Sequence, residues 1–285
     1  MRSVFDQNPS RPIRLRRTRL CGAALGLAAL AATAACGTRN AEADESVPTP
    51  EDAAVEQLGV TVLDTFDHDP DSFTQGLELR DGVFYESAGL YGESDVRLVE
   101  PGTGEVIETV ALPEDEFAEG LTLTEDSLWQ ITWKEGVAYQ RDLTTLEVVE
   151  TASYEGEGWG ICSDGTQLVM SDGSSTLTFR DPETFEETGT ARVTLDGEPL
   201  DQINELECVD GQVWANVWQT DQIVRIDPAT GEVGAVVDAA GLLTEDEAAT
   251  ADVLNGIAAA EEEGTFYITG KRWPKLFLVS FDPAS

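Results

Sequence analysis

Phe117-Ala118-Glu119-Gly120-Leu121-Thr122 is the stretch that decides how the rest of the chain reads, because its shape recurs. Phe73-Thr74-Gln75-Gly76-Leu77, Gly158-Trp159-Gly160-Ile161, Ile203-Asn204-Glu205-Leu206 and Leu254-Asn255-Gly256-Ile257 repeat it. Each sets one polar or aromatic residue directly before a short strand-like run. From Gly76 through Gly120, Gly160 and Glu205 to Gly256 the steps are 44, 40, 45 and 51 residues. A period of that size belongs to radial architectures whose repeating unit is a sheet of about four strands. Five units predict an all-β chain folded as a five-bladed β-propeller.

The strands inside each unit follow the same logic. A second strand is rich in aromatic and β-branched residues, with Phe84-Tyr85, Leu128-Trp129, Leu168-Val169, Val213-Trp214 and Phe266-Tyr267 in matching places. A third strand ends at Asp-Pro or its equivalent, as in Arg180-Asp181-Pro182 and Ile226-Asp227-Pro228. Turns such as Gly102-Thr103-Gly104 then lead to a fourth, outer strand. The last unit stops after Leu276 to Phe281 and lacks that fourth strand. Val60 to Phe66 is a spare strand at the other end of the domain, and pairing it with Leu276 to Ser280 closes the propeller by an N-terminal strand and removes an exposed edge. The longest step holds Thr244-Glu245-Asp246-Glu247, a capping-box pattern heading an Ala-rich stretch to Val253. A short helix is expected there, as a surface excursion rather than a lid.

The N-terminus is of another kind. Six arginines between Arg2 and Arg19 precede an apolar Ala/Leu run from Leu20 to Ala35, too short for a lasting membrane span. Residues 1–35 read as an export signal, and Arg16-Arg17 with Leu20 gives it a twin-arginine look. Ala34-Ala35-Cys36-Gly37 resembles a bacterial lipoprotein box, with Thr33 where that box usually has Leu. Lipidation of Cys36 is expected, with cleavage by an ordinary signal peptidase as the alternative. Residues 36–57, rich in Ala, Glu, Asp and Pro, are expected to form an acidic disordered tether, and 58–285 the propeller. The protein is thus expected outside the cell membrane, as an envelope lipoprotein or a secreted protein, touching membrane only through the lipid.

Net charge over the 285 residues is −38, and removal of the Arg-rich leader makes the remainder more acidic still. Such a surface repels nucleic acid and anionic headgroups. A monomer is expected. Of four cysteines, only Cys162 and Cys208 lie in the domain. Aligned by blade, Cys208 has the pleat parity of Leu206 and Cys162 the opposite parity to Ile161, which leaves a disulfide between them open and not encouraged.

First and second strands of a blade are antiparallel, so the starts of the first and the ends of the second share one rim. The first-strand starts are Gln75, Glu119, Trp159, Asn204 and Asn255. The second-strand ends, four residues past the Tyr/Trp position, include Trp133, Trp218 and Lys271. Radial repetition therefore gathers a carboxylate, amides, a lysine and three tryptophans around one mouth. Trp129 and Trp214 read as core, whereas Trp133, Trp159 and Trp218 read as pocket walls. Glu119, set between Phe117 and Leu121, is the candidate for proton transfer because desolvation raises a carboxyl pKa. With His68 the only histidine, multi-histidine metal sites and most Ser-His-Asp arrangements are excluded. Gly156 to Gly160 lacks the strand-to-helix context of a phosphate loop.

At these residues the chain resembles the plant-type glutaminyl-peptide cyclotransferases, five-bladed propellers with bacterial members. The matching segments are Phe73 to Leu77, Glu86 to Gly92, Phe117 to Thr122, Glu157 to Gly160, Asn204 to Glu207, Trp214 to Trp218, Leu254 to Ile257 and Gly270 to Pro274. The resemblance implies an acyltransferase that turns the N-terminal glutamine of peptides or proteins into pyroglutamate, releasing ammonia, with no cofactor and no catalytic zinc. It implies that Glu119 is the general acid/base, that Asn204 and Lys271 contact the reacting group, and that Phe73, Gln75, Phe117, Trp133, Trp159 and Trp218 shape the pocket. Asn255, on the same rim, is expected to bind substrate with them. Ala118 and the 241–253 insertion depart from the family pattern and bear on substrate range. Two rival readings stand beside it. One is a non-catalytic propeller binding peptides or sugars, which has no need of Glu119 with Lys271. The other is a carboxylate-based hydrolase, which needs further acids on a rim where four of five first-strand starts are uncharged.

Overall fold

The computed structural model describes residues 54–284, an all-β arrangement with one short helix. The expected export signal, Cys36 and most of the expected tether lie outside the described residues. The described residues open with β1 (Glu56–Asp67), which begins four residues before the strand expected from Val60 to Phe66. Four antiparallel strands follow: β2 (Thr74–Arg80), β3 (Val83–Ala88), β4 (Asp95–Val99) and β5 (Val106–Ala111). The second group is β6 (Ala118–Leu123), β7 (Leu128–Thr132), β8 (Val137–Arg141) and β9 (Val148–Ser153). The third is β10 (Ile161–Ser163), β11 (Leu168–Ser171), β12 (Thr176–Arg180) and β13 (Glu187–Arg192). After a small hairpin, β14 (Thr194–Leu195) with β15 (Glu198–Pro199), come β16 (Ile203–Val209), β17 (Gln212–Val217), β18 (Gln222–Ile226) and β19 (Val233–Asp238). The helix α1 (Glu245–Ala248) then leads to β20 (Leu254–Ala259), β21 (Thr265–Gly270) and β22 (Lys275–Pro283).

The spare N-terminal strand pairs as the sequence predicts. Val60 lies opposite Phe281, Thr61 opposite Ser280 and Phe66 opposite Leu276, so β1 is the fourth strand of the last group. Its first residues do something the sequence did not announce: Glu56 to Gly59 run parallel to β19 from Ala235 to Asp238. One strand therefore fuses the fourth and fifth groups into a single eight-stranded sheet.

Burial falls toward the outer strand in every group but the fourth, where β19, paired with the start of β1, stays mostly buried. β6 and β7 are buried at every residue, whereas β5 and β9 are almost wholly exposed. Five apolar clusters fill the spaces between consecutive groups. Leu121 and Leu128 pack with Tyr85 and Val96, Ile161 and Met170 with Trp129, Leu206 and Val213 with Val169, and Ile257 and Phe266 with Trp214. Leu77 and Phe84 pack on Ala258 and Leu276, joining the last group to the first. The third-to-fourth turns are fixed by their aspartates: Asp142 Oδ1 accepts the N–H groups of Thr144 and Thr145 at 2.9 and 2.8 Å. Leu146 then turns inward, fully buried at φ 57°, and the buried Arg141 donates to its carbonyl at 2.8 Å.

The recurring glycine has a steric cause. A Cβ on Gly76 would stand 2.5 Å from Leu121 N, and one on Gly120 2.8 Å from Ile161 N. First strands of consecutive groups thus meet backbone to backbone, a separation open only to glycine. Gly120 N–H donates to Trp159 O across that contact at 2.8 Å. In the fourth group the place falls to Glu205, whose buried carboxylate accepts from Ile257 N at 2.8 Å and Leu77 N at 3.4 Å.

One question left open by the sequence is answered, and one expected element is shorter than the stretch that suggested it. Cys162 and Cys208 form a disulfide, with Cα atoms 5.4 Å apart. Their opposite parity is what brings them together, because one face of β10 packs on the other face of β16: Ile161 joins the cluster toward the second group and Cys162 the cluster toward the fourth. The helix is only four residues long. Thr244 and Glu247 form the expected capping box, but Asp252 N–H is taken by Lys271 O at 2.8 Å and Lys271 N–H donates to Val253 O at 2.9 Å. Bonding to Lys271 thus claims Asp252 and Val253, the end of the stretch.

Candidate functional site

Four first strands carry a β-bulge where the motif sits. Register shifts fall between Thr74 and Gly76, Ala118 and Leu121, Ile203 and Leu206, and Leu254 and Ile257. A bulge inserts an unpaired residue and re-aims its side chain. Gln75, Glu119, Asn204 and Asn255 are thereby released from the ladder at the same height in four groups. The second strands contribute the residue just past their ends, and here the groups differ in a complementary way. Trp133, Trp218 and Lys271 follow β7, β17 and β21 directly, while the positions equivalent in register are Gly89 after β3 and Gly173, two residues past β11. A Cβ on Gly89 would meet the Phe117 ring, and one on Gly173 the Trp159 ring. Glycine in two groups makes room for the aromatic side chain of a neighbouring position.

The result is a pocket of 280 Å³ lined by Phe73, Gln75, Phe117, Glu119, Trp133, Trp159, Asn204, Trp218, Asp252 and Lys271. Nine of these were expected on sequence grounds. Phe73, Phe117 and Trp133 form one aromatic run, with ring centroids 6.2 and 5.7 Å apart, and Trp159 and Trp218 form another at 5.4 Å. Glu119 is 6% exposed and Lys271 5%. Lys271 Nζ lies 5.0 Å from the centre of the Phe73 ring, and among the described residues neither Glu119 nor Lys271 has an ion-pair partner within 4.0 Å.

Electrostatics in the pocket follow from that burial. Desolvation pushes the Glu119 carboxyl well above the ordinary carboxylate range; Lys271 draws it back, and Glu157 and Glu135 add to the rise. Burial lowers Lys271, with Glu119 and Asp252 opposing. Each group is thus biased toward its neutral form, and a proton moves between them and a ligand at a smaller free-energy difference than in water.

Asn255 is corrected: it does not line the pocket. Fully buried, its Nδ2 donates to Thr74 O at 3.0 Å and faces Gln75 Oε1 at 3.5 Å, so it stands behind Gln75. Its bulge carries Gly256 at φ 117°, packed beside the side chains of Thr269, Thr74 and Leu77 rather than against a neighbouring backbone. Asp252 was missed. It comes from the segment after α1, which therefore does more than pass over the surface: Trp273 Nε1 donates to the backbone carbonyl of Asp252 at 2.8 Å and holds that residue at the pocket. Glu157 was also missed, although it stands in a matching segment; its one carboxylate oxygen accepts from the indoles of both Trp133 and Trp159. His68 lies behind the rim, donating from Nδ1 to Trp273 O at 2.8 Å, with Nε2 3.2 Å from Glu86.

Fold and pocket together define an all-β protein with an aromatic-walled site holding a buried carboxyl and a buried amine. A family model described as glutamine cyclotransferase matches residues 27–281, and the chain belongs to that family. Over 232 residues it is 40% identical to the glutaminyl-peptide cyclotransferase of Arabidopsis thaliana, covering 79% of this chain and 72% of that protein. The crystal structure of Myxococcus xanthus glutaminyl cyclase matches with a TM-score of 0.73 at 36% identity, covering 81% of this chain and 100% of that one.

Proposed function

We propose that this protein is a glutaminyl-peptide cyclotransferase, closing the N-terminal glutamine of peptides or proteins to pyroglutamate with release of ammonia. The observation that carries the reading is the meeting of Glu119 and Lys271, both desolvated, inside one aromatic pocket of a glutamine cyclotransferase family member. The aromatic walls hold the glutamine folded, so that its α-nitrogen reaches its own side-chain carbonyl carbon. Glu119 takes a proton from the attacking nitrogen and returns one to the side-chain nitrogen, which leaves as ammonia when its bond to carbon breaks. Lys271 and Asn204 stabilise the charge that develops on the carbonyl oxygen. Gln75, backed by Asn255, orients the peptide. This acyl transfer is carried by the chain's own groups, and the pocket lining contains neither histidine nor cysteine.

The same reading takes the five groups as blades of one propeller, supported by the apolar cluster that joins the last group to the first. It also takes the protein as an exported monomer held by lipid on Cys36, in keeping with the Cys162–Cys208 disulfide, since disulfides persist in oxidising compartments.

Mass spectrometry of a Gln-initiated peptide incubated with the protein tests the activity. Loss of ammonia from that peptide, and none from its Asn-initiated analogue, is expected; binding without mass loss overturns the reading in favour of a binding module. Lys271→Met is expected to lower kcat by about 10²-fold. It also removes the cation that draws Glu119 down, so the acid limb of the pH–rate profile moves to higher pH. An unchanged limb separates Lys271 from Glu119.

A further inference from the structure

Trp133 and Trp159 come from different groups, one just past the end of β7 and the other two residues before β10. Their backbones are tied through Gly158 N–H, which donates to Trp133 O at 2.9 Å, and their side chains end the two aromatic runs of the pocket. Their shared link is Glu157. Its Oε2 accepts the Trp133 indole N–H at 2.8 Å and the Trp159 indole N–H at 3.1 Å. Its other oxygen lies 3.5 Å from Lys134 Nζ, and that ammonium stands 3.6 Å from the centre of the Trp133 ring. Trp133 is thus held at its edge by Glu157 and on its face by Lys134. Gly158, next in sequence, cannot carry a side chain, since its Cβ would stand 2.8 Å from Thr132 O and closer still to the Tyr154 hydroxyl. This packing fixes the loop that presents Glu157.

We propose that Glu157 is a positioning residue of this site: its carboxylate locks the Trp133 and Trp159 walls together and sets a permanent negative charge at the rim of the pocket that holds Glu119. The inference rests on the cyclisation reading above. Glu157 is itself kept ionised: burial pushes it up, but the hydrogen bonds from Trp159 and Trp133 and the Lys134 charge outweigh that and leave it below the ordinary carboxylate range. Its charge adds to the rise at Glu119, together with Glu135 and against Lys271; the hydroxyls of Tyr91 and Tyr154 are the other titratable groups that feel Glu119. Two duties therefore fall on one carboxylate, and they are separable. A glutamine keeps an oxygen to accept from the indoles and loses the charge. An alanine loses both.

The test compares Glu157→Gln and Glu157→Ala with the unsubstituted full chain on a Gln-initiated peptide across pH. In Glu157→Gln, KM stays within about threefold while the acid limb moves to lower pH by about half a pH unit or more, because the charge that raised Glu119 is gone. In Glu157→Ala the same limb shift appears and kcat/KM falls by about 10²-fold, the cost of misplaced walls. Indole fluorescence supplies an activity-independent reading: acrylamide quenching rises in Glu157→Ala and not in Glu157→Gln. An unshifted limb in Glu157→Gln, or unchanged KM and quenching in a folded Glu157→Ala, overturns the proposal. If the alanine variant does not fold, the glutamine variant decides through its limb. If the unsubstituted chain releases no ammonia, the cyclisation reading fails and quenching alone decides the wall.

Discussion

Glu119→Gln is expected to lower kcat for cyclisation by about 10²–10⁴-fold, with KM and the unfolding midpoint close to those of the unsubstituted protein. Glutamine fits the place sterically. The equivalent bulges of other groups carry Gln75 and Asn204 in the same pocket, and among the described residues the Glu119 carboxyl makes no ion pair whose loss would strand a partner. The substitution removes proton exchange and little else. Cyclisation needs one proton removed from the attacking nitrogen and one delivered to the leaving nitrogen, and an amide does neither at neutral pH. Because burial holds Glu119 well above the ordinary carboxylate range, the unsubstituted protein should gain activity as pH rises through that raised value. The glutamine variant should lose this limb altogether. Retention of more than about a tenth of turnover at equal folding would remove Glu119 as the shuttle.

The repeat was legible because its cause is steric. Gly76, Gly120 and Gly160 recur at a regular distance since first strands touch through their backbones, and no other residue fits. The rim was legible for a related reason: strand polarity alone decides that first-strand starts and second-strand ends lie together. The bulges were not legible, and Asn255 was misplaced on that account, since residues at equivalent positions in sequence need not project equally far. The disulfide was left open and not encouraged because parity was compared as though both cysteines belonged to one sheet, whereas Cys162 and Cys208 face each other across two. Glu157 and Asp252 escaped because their roles depend on partners elsewhere in the fold. An indole N–H from another group and a backbone carbonyl pinned by Trp273 leave no local signature.

Gly160→Ala should cost about 3 kcal/mol or more of folding stability. At this position a Cβ would collide with the carbonyl oxygen of Asn204 and lie 2.8 Å from Glu205 Cα and 2.9 Å from Asn204 C. All three atoms belong to the backbone of β16, so no rotamer change relieves the contact. Retreat of β10 is blocked on its other side: Gly160 N–H donates to Ser171 Oγ at 2.7 Å and Ser171 N–H donates back to Gly160 O at 2.9 Å. Ser171 Oγ in turn donates to Asn204 O at 2.7 Å, so the added methyl group strains a three-way junction that also fixes the backbone of a pocket residue. For a domain of this size the loss should lower Tm by roughly 6–12 °C, and turnover should fall with it as Asn204 is displaced. Gly59→Ala is the control, since nothing lies within 4 Å of the added Cβ and its φ is not in the left-handed region. That variant should stay within about 0.5 kcal/mol of the parent. Equal unfolding midpoints for the two alanine variants would show that the approach of β10 to β16 is not what demands glycine at 160.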